Sequence, residues 1–186
     1  KTVGLDEVET GKNYALVITT NGGLWRYLIG DTVTFTSLSP FRIKITGRTK
    51  HYINAFGEEL MIDNVETALA RACRETNAAV SDYTGAPVFM SGSNSGAHEW
   101  IFQFTDMPDN LEKFTAVFDE TLKTLNSDYE AKRYNNMTLR MPIVHAAKSN
   151  LFYDWMASRG KLGGQNKVPR LSNNREYIDP LLEMNS

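Results

Sequence analysis

The sequence predicts an α+β chain: an antiparallel strand meander, the edge of a larger domain, followed by a small mixed-sheet domain with flanking helices. Two observations carry this prediction. Residues 13–46 hold successive runs of alternating bulky residues, broken by Asn21-Gly22-Gly23 and Ser39-Pro40, with no helical period among them. Beyond Lys50 the period switches back and forth. Helical stripes over 63–77 and 111–125 are set between strand-like runs at 78–84 and 98–105. The chain therefore divides into 1–46, a boundary at 47–50, and 51–186.

In order, Asn13 to Thr20 reads as a largely buried strand, with Tyr14, Leu16 and Ile18 on one side and Ala15 and Val17 on the other. Asn21-Gly22-Gly23 supplies a hairpin turn, because Asn and Gly tolerate positive φ. Leu24 to Leu28 and Thr32 to Thr36 read as two strands parted by a tight Gly30-Asp31 turn, and Phe41 to Thr46 as another. This meander is incomplete on its own, and its missing partners are expected in an N-terminal portion. A further short strand follows Lys50, and Gly57-Glu58-Glu59 reads as the start of a helix. Asp63 is the expected N-cap, with Val65, Ala68, Leu69, Ala72 and Cys73 at helical spacing and a stop near Asn77. Ala78 to Thr84 and His98 to Thr105 are strands, the second with Trp100, Phe102 and Phe104 on one face. Asp109 or Asn110 caps a helix whose Leu111, Phe114, Val117, Phe118, Thr121, Leu122 and Leu125 form one stripe. Met137 to Met141 and Ile143 to Ala146 read as short strands, and Leu151 to Arg159 as a helix ended by Gly160. A polar, Gly-rich loop covers 161–170, and 174–184 closes with a short helix or turn around Pro180.

Composition narrows the function. Of 186 residues, 41% are hydrophobic and 23% charged, which is enough for a core and argues against disorder. A net charge of −2 gives no electrostatic case for nucleic acid or an anionic membrane as partner. No apolar run approaches a membrane span. The one cysteine, Cys73, cannot form an internal disulfide, which favours a reducing, cytoplasmic setting.

Two stretches hold residues suited to chemistry. A carboxylate such as Asp31, held at a turn, can accept hydrogen bonds from both hydroxyls of a ribose, and an arginine close by adds a planar donor fork. On spacing alone, the turn former is the favoured reading of Gly30-Asp31, and a solvated turn that of Arg48 and Lys50. Lys167, on a glycine-lined loop, is a compact charge able to meet phosphate or carboxylate, or an exposed loop lysine. Lys161 competes with it for that role, and Arg170 either supports the loop or touches substrate.

Taken together, Tyr27-Leu28-Ile29-Gly30-Asp31, then Gly47-Arg48-Thr49-Lys50 and Ile53-Asn54-Ala55-Phe56-Gly57-Glu58-Glu59-Leu60, resemble the adenylate-forming superfamily of acyl and aryl ligases. Within it they are most similar to the auxin-responsive Gretchen Hagen family of acyl acid amido synthetases. Gln165-Asn166-Lys167-Val168-Pro169-Arg170 is similar to that family's Gln-x-Lys-x-Pro-Arg segment. Leu28 departs from the pattern, which usually has a basic residue there. Family members are several times longer, so the resemblance implies a C-terminal piece of a larger enzyme. Residues 1–46 would be strands of a truncated adenylation domain, 47–50 a hinge and 51–186 a C-terminal cap. It implies Asp31, Arg48 and Tyr27 at the nucleotide, Lys50 as pivot of a large rotation, and Lys167 as the catalytic charge between acyl carboxylate and α-phosphate. ATP, with Mg²⁺ on its phosphates, a carboxylic acid and an amino acid would be the reactants, and the missing N-terminal domain the partner. A thiol acceptor such as coenzyme A, or a non-catalytic module that keeps the fold, are the alternatives.

Other residues point elsewhere. His51, His98 and His145 are isolated and lack metal-ligand spacing. Cys73 lies on an apolar stripe, as a small core residue does. Glu58 and Glu59 are explained as acids at a helix N-terminus. Residues 91–96 lack the Gly-Lys-Ser/Thr ending of a phosphate loop.

Overall fold

A computed structural model of the chain describes residues 2–48, 52–92, 94–162 and 167–186, with Gly47 and Arg48 described at the backbone level. The chain forms two compact units, Lys1–His51 and Tyr52–Ser186. The α+β class holds: the first unit is an antiparallel sheet and the second a mixed sheet with helices.

In the first unit, a 3-10 turn at Leu5–Glu7 precedes β1 (Asn13–Ile18), β2 (Tyr27–Leu38) and β3 (Phe41–Arg48), paired antiparallel in the order β1-β2-β3. Its core is small: Val8, Val33 and Phe35, with Val3 and Tyr14 against it and Tyr14 edge-on to Phe35 at 5.9 Å. Only one side of β1 has this core to pack on. The expected buried strand is therefore half-exposed, with Val17 40% open.

The larger correction concerns Gly30-Asp31. The sequence suggests a turn between two strands, but β2 runs unbroken through both residues for 12 residues. Thr32 pairs with Ala15 and Leu28 with Val17, so Ile29, Gly30 and Asp31 lie opposite the single residue Leu16. This is a bulge, and Gly30 takes φ 91°, a conformation glycine adopts without steric cost. A second irregularity places Thr46 as the extra residue of β3. Its hydroxyl reaches Asn13 Oδ1 at 2.6 Å and Thr32 Oγ1 at 3.1 Å, tying all three strands together at that level.

In the second unit, a short pair, β4 (Tyr52–Ile53) and β5 (Leu60–Met61), leads into α1 (Ile62–Thr76). Gly57-Glu58-Glu59 is thus in the β4–β5 loop rather than at a helix start. Asp63 belongs to the first turn and is not the cap; Asn64 Oδ1 instead accepts the Met61 N–H at 3.1 Å. Asn77 ends α1 with φ 53°, the left-handed stop expected there.

The order continues with β6 (Ala79–Val88), β7 (Ala97–Asp106), α2 (Leu111–Leu125), α3 (Ser127–Arg133), β8 (Ile143–Ala146), α4 (Leu151–Ser158) and α5 (Ile178–Asn185). Asn110 caps α2, its Oδ1 accepting the Lys113 N–H. Residues 137–141 form no strand. A 3-10 turn at Tyr134–Asn136 and a single bridge from Leu139 to Gly96 take their place.

The sheet order is β6-β7-β8, antiparallel then parallel. Side chains alternate across it with period two. Trp100, Phe102 and Tyr83 join the stripes of α1 and α2 in one core. Ile101 and Ala86 face the other way, into a core with α4, α5 and Val168. No helix among the described residues is long and apolar enough to cross a membrane.

Candidate functional site

In the first unit the bulge and the β2–β3 ladder bring two of the candidates together. Asp31 and Arg48 are direct partners across the ladder, followed by Thr32 opposite Gly47. Asp31 is half-buried, placed by the bulge on the central strand rather than at a sheet edge or turn. Tyr27 opens the same strand opposite Ile18 and is half-exposed, as is Leu28. Lys50 and His51 lie outside the described residues.

In the second unit Lys167 is exposed and begins a segment whose backbone is fixed. Val168 is buried in the α4–α5 core. Thr84 Oγ1 donates to the Pro169 carbonyl at 2.7 Å, the Gly85 N–H to Arg170 O at 2.9 Å, and the Ser172 N–H to Gly85 O at 3.0 Å. Gly85 is required here, because a Cβ would stand 2.3 Å from the Trp100 ring. Arg170 forms an ion pair with Glu66 on α1, and its guanidinium lies 5.1 Å from the Tyr83 ring centroid. Tyr83 in turn donates its hydroxyl to Glu66 at 2.8 Å. Burial, then the neighbouring Glu66 charge and hydrogen bond, push the Tyr83 phenol well above its ordinary range. Burial also raises the Asp82 carboxyl, against a Tyr83 N–H bond and the charges of Arg170 and Lys167. Lys161, the competitor, is exposed, its N–H bonded to Met156 O.

A buried pair escaped the sequence reading. His98 is not isolated: its Nε2 lies 2.8 Å from Glu58 Oε1, and both side chains are closed to solvent. Glu58 is therefore no surface acid serving a helix dipole. Its other oxygen accepts the Phe56 N–H at 2.7 Å, and its carbonyl accepts from Asn126 at 2.9 Å. Burial pushes this carboxyl up, but the His98 hydrogen bond and charge and the backbone N–H groups outweigh that and hold it below its ordinary value. His145 is paired too, with Glu99, which also binds Arg175. On α2, Asp119 receives a forked contact from Arg133, at 2.8 and 2.9 Å, and the Tyr129 hydroxyl at 2.7 Å. These partners stand 40 or more residues apart in two of the three cases, beyond the reach of any spacing rule. Among the described residues, no group of three or more His, Cys, Asp or Glu side chains could hold a metal ion.

Comparison with known proteins adds a family dimension. Residues 1–48 match the family model described as the GH3 family central domain, and residues 63–176 that of the GH3 family C-terminal domain. Indole-3-acetic acid-amido synthetase GH3.3 of Arabidopsis thaliana is 28% identical over 178 residues, covering 90% of this chain and 30% of that protein. The 4-substituted benzoates-glutamate ligase GH3.12 of the same plant is 23% identical over 184 residues, covering 90% and 32%. The chain thus spans about a third of the length of the curated relatives it matches. The solved GH3.15 acyl acid amido synthetase superposes with a TM-score of 0.77 at 23% identity, covering 98% of this chain and 35% of that one, a likeness of fold.

Proposed function

The chain belongs to the GH3 family, and from that premise we propose that it is the C-terminal portion of an ATP-dependent acyl acid amido synthetase. What supports the reading most is the order of the two matched domains. The central domain ends on the strand carrying Arg48 opposite Asp31, and the C-terminal domain contains the Lys167 segment.

In the complete enzyme, a carboxylate oxygen of the acid attacks the α-phosphorus of ATP. The bond to the pyrophosphate oxygen breaks, giving an acyl adenylate and pyrophosphate. The amine of an amino acid then attacks the acyl carbon. AMP leaves with the electron pair of the broken bond, the nitrogen loses a proton, and an amide remains. Asp31 accepts hydrogen bonds from the ribose hydroxyls, with Tyr27 and Arg48 beside the nucleotide. Lys167 places its ammonium where the acyl carboxylate meets the α-phosphate, offsetting charge that gathers in the transition state. Residues 47–50 serve as the hinge, with Lys50 the pivot, and 51–186 as the cap that swings between half-reactions. Mg²⁺ would be held chiefly by the phosphate oxygens of ATP and would offset their charge when bound; among the described residues no group of three or more His, Cys, Asp or Glu side chains could hold it by itself.

An amine is favoured over a thiol as acceptor because the relatives are named amido synthetases and a glutamate ligase. The single cysteine suits a cytoplasmic setting. The test is ATP–pyrophosphate exchange on the full-length protein, with indole-3-acetic acid and 4-substituted benzoates supplied in turn. Acid-dependent exchange is expected from the full-length protein and none from the isolated 186-residue chain. Exchange by the isolated chain, or none by the full-length protein with a panel of carboxylic acids, would overturn the reading.

A further inference from the structure

We propose that Arg170, gripped by Glu66 and Tyr83, is a positioning residue for Lys167, and that these three form a brace that fixes the loop for acyl adenylation. The inference rests on the role proposed above for Lys167 and adds residues that role does not include.

Lys167 is exposed, and a long exposed ammonium loses catalytic value if its backbone wanders, since small misplacements of a reacting charge are costly. Three residues on, the chain is held from two elements at once. Glu66 comes from α1 and Tyr83 from β6, and each touches both Arg170 and the other. The planar guanidinium suits this double duty, meeting a carboxylate along its edge and an aromatic ring on its face. Between Lys167 and Arg170 the backbone has little freedom: Val168 is buried and the Pro169 carbonyl is bonded to Thr84. The brace thus restrains one end of a short, stiff segment whose other end carries the charge. Asp82 lies in the field of both Lys167 and Arg170, so the two cations share one carboxylate neighbour.

Arg170 and Glu66 are each 42% exposed in their side chains, so changing them spares the core. The experiment uses the full-length protein with Arg170→Ala, Glu66→Gln, Lys167→Ala and the Lys167→Ala/Arg170→Ala double variant. Hydrogen exchange of the 167–172 amides and the two half-reactions are measured separately. Arg170→Ala and Glu66→Gln should speed exchange at 167–172 and slow adenylation about tenfold while sparing amine attack on supplied adenylate. In the Lys167→Ala background, Arg170→Ala should change adenylation less than about twofold, because the residue it positions is gone. A merely structural role would instead slow both half-reactions or repeat the same loss in both backgrounds, and either result overturns the proposal. Unchanged exchange in both single variants overturns the brace whatever Lys167 does. Normal adenylation by Lys167→Ala would instead overturn the assignment of Lys167 itself, and a loop loosened by Arg170→Ala in that case would leave the brace as scaffolding without a positioning role.

Discussion

His98 Nε2 lies 2.8 Å from Glu58 Oε1, with both side chains sealed from solvent, and this one contact joins β7 to the loop that opens the second unit. The His98 ring also stacks on Tyr129 at 5.6 Å, and Asn126 holds the Glu58 carbonyl. A loop with two short strands of its own is thereby locked to the core through a charge-bearing pair.

Removing one member of a buried pair leaves the other unpaired, which typically costs about 3–5 kcal/mol. We expect Glu58→Ala to lower the unfolding free energy of the chain by about 3 kcal/mol, and Glu58→Gln by less, because the amide keeps a hydrogen bond to the imidazole. Urea unfolding followed by tryptophan fluorescence measures both. Equal midpoints for Glu58→Ala and the unmodified chain would remove the pair from the stabilising core.

Acid should destabilise the chain, and the sign follows from three carboxylates. Glu58, Glu99 and Asp119 are buried, which pushes each up. Each is nevertheless held below its ordinary value by its partners: His98 for Glu58, Arg175 and His145 for Glu99, Arg133 and Tyr129 for Asp119. A lowered folded value means stability that is complete above the ordinary values of 4.5 for Glu and 3.8 for Asp, and lost as pH falls through the folded ones. Asp82 has the opposite sign, since burial raises it and protonation favours the fold, but it is one group against three. Urea midpoints should hold steady from pH 7 to about 5 and drop steadily below pH 4.5. A midpoint that rises between pH 5 and 3 would reverse this assignment.

Gly85→Ala should be strongly destabilising for its size. The added Cβ would stand 2.3 Å from the fully buried Trp100, whose ring is packed against Phe102 and Phe118 and has nowhere to move. Overpacking of this kind costs about 1–3 kcal/mol, and the shift should also loosen Arg170, bonded to Gly85 through the backbone. A melting temperature unchanged from the unmodified chain would show that the ring can yield.

The sequence made plain what depends on local repetition. The stripes of α1 and α2 and the alternating aromatics of β7 are periodic, and they form the main core, except that Leu125 at the end of the α2 stripe is exposed. Three features lacked that signal. Seven-residue α3 buries only Tyr129, so it has no stripe to detect. The bulge at Gly30 looks in sequence like a turn, because glycine supplies positive φ to both and only the pairing with β1 tells them apart. Glu58 and His98 are joined by folding across 40 residues. As for the candidate site, the Asp31 and Arg48 motifs were visible as separate words, while their pairing across β2 and β3 came from register alone.

Asp31 gives a direct test of nucleotide binding. In the full-length enzyme, Asp31→Ala should weaken ATP and AMP binding by at least about tenfold, since charge-assisted hydrogen bonds contribute roughly 1.5–3 kcal/mol each. Gly30 carries the positive φ of the bulge, and circular dichroism of the variant checks that the strand survives the change. Calorimetry finding equal affinity for the variant would take Asp31 out of the nucleotide site.

Lys167 and Lys50 separate charge from motion. If Lys167 acts only where two negative groups meet, Lys167→Ala should slow adenylation about a hundredfold or more and leave amine attack on supplied acyl adenylate intact. Its exposure makes a folding defect an unsuitable explanation for such a loss. Lys50→Pro should give a different pattern, because proline fixes φ near −65° and a pivot so fixed can serve one orientation of the cap but not both. One half-reaction should then fail while the other persists. Pyrophosphate exchange reports the first step, and single-turnover consumption of supplied adenylate reports the second. Equal slowing of both steps by Lys167→Ala, or no slowing of either, would show that its charge is not used at the α-phosphate. Two intact half-reactions in Lys50→Pro would place the hinge elsewhere in the chain.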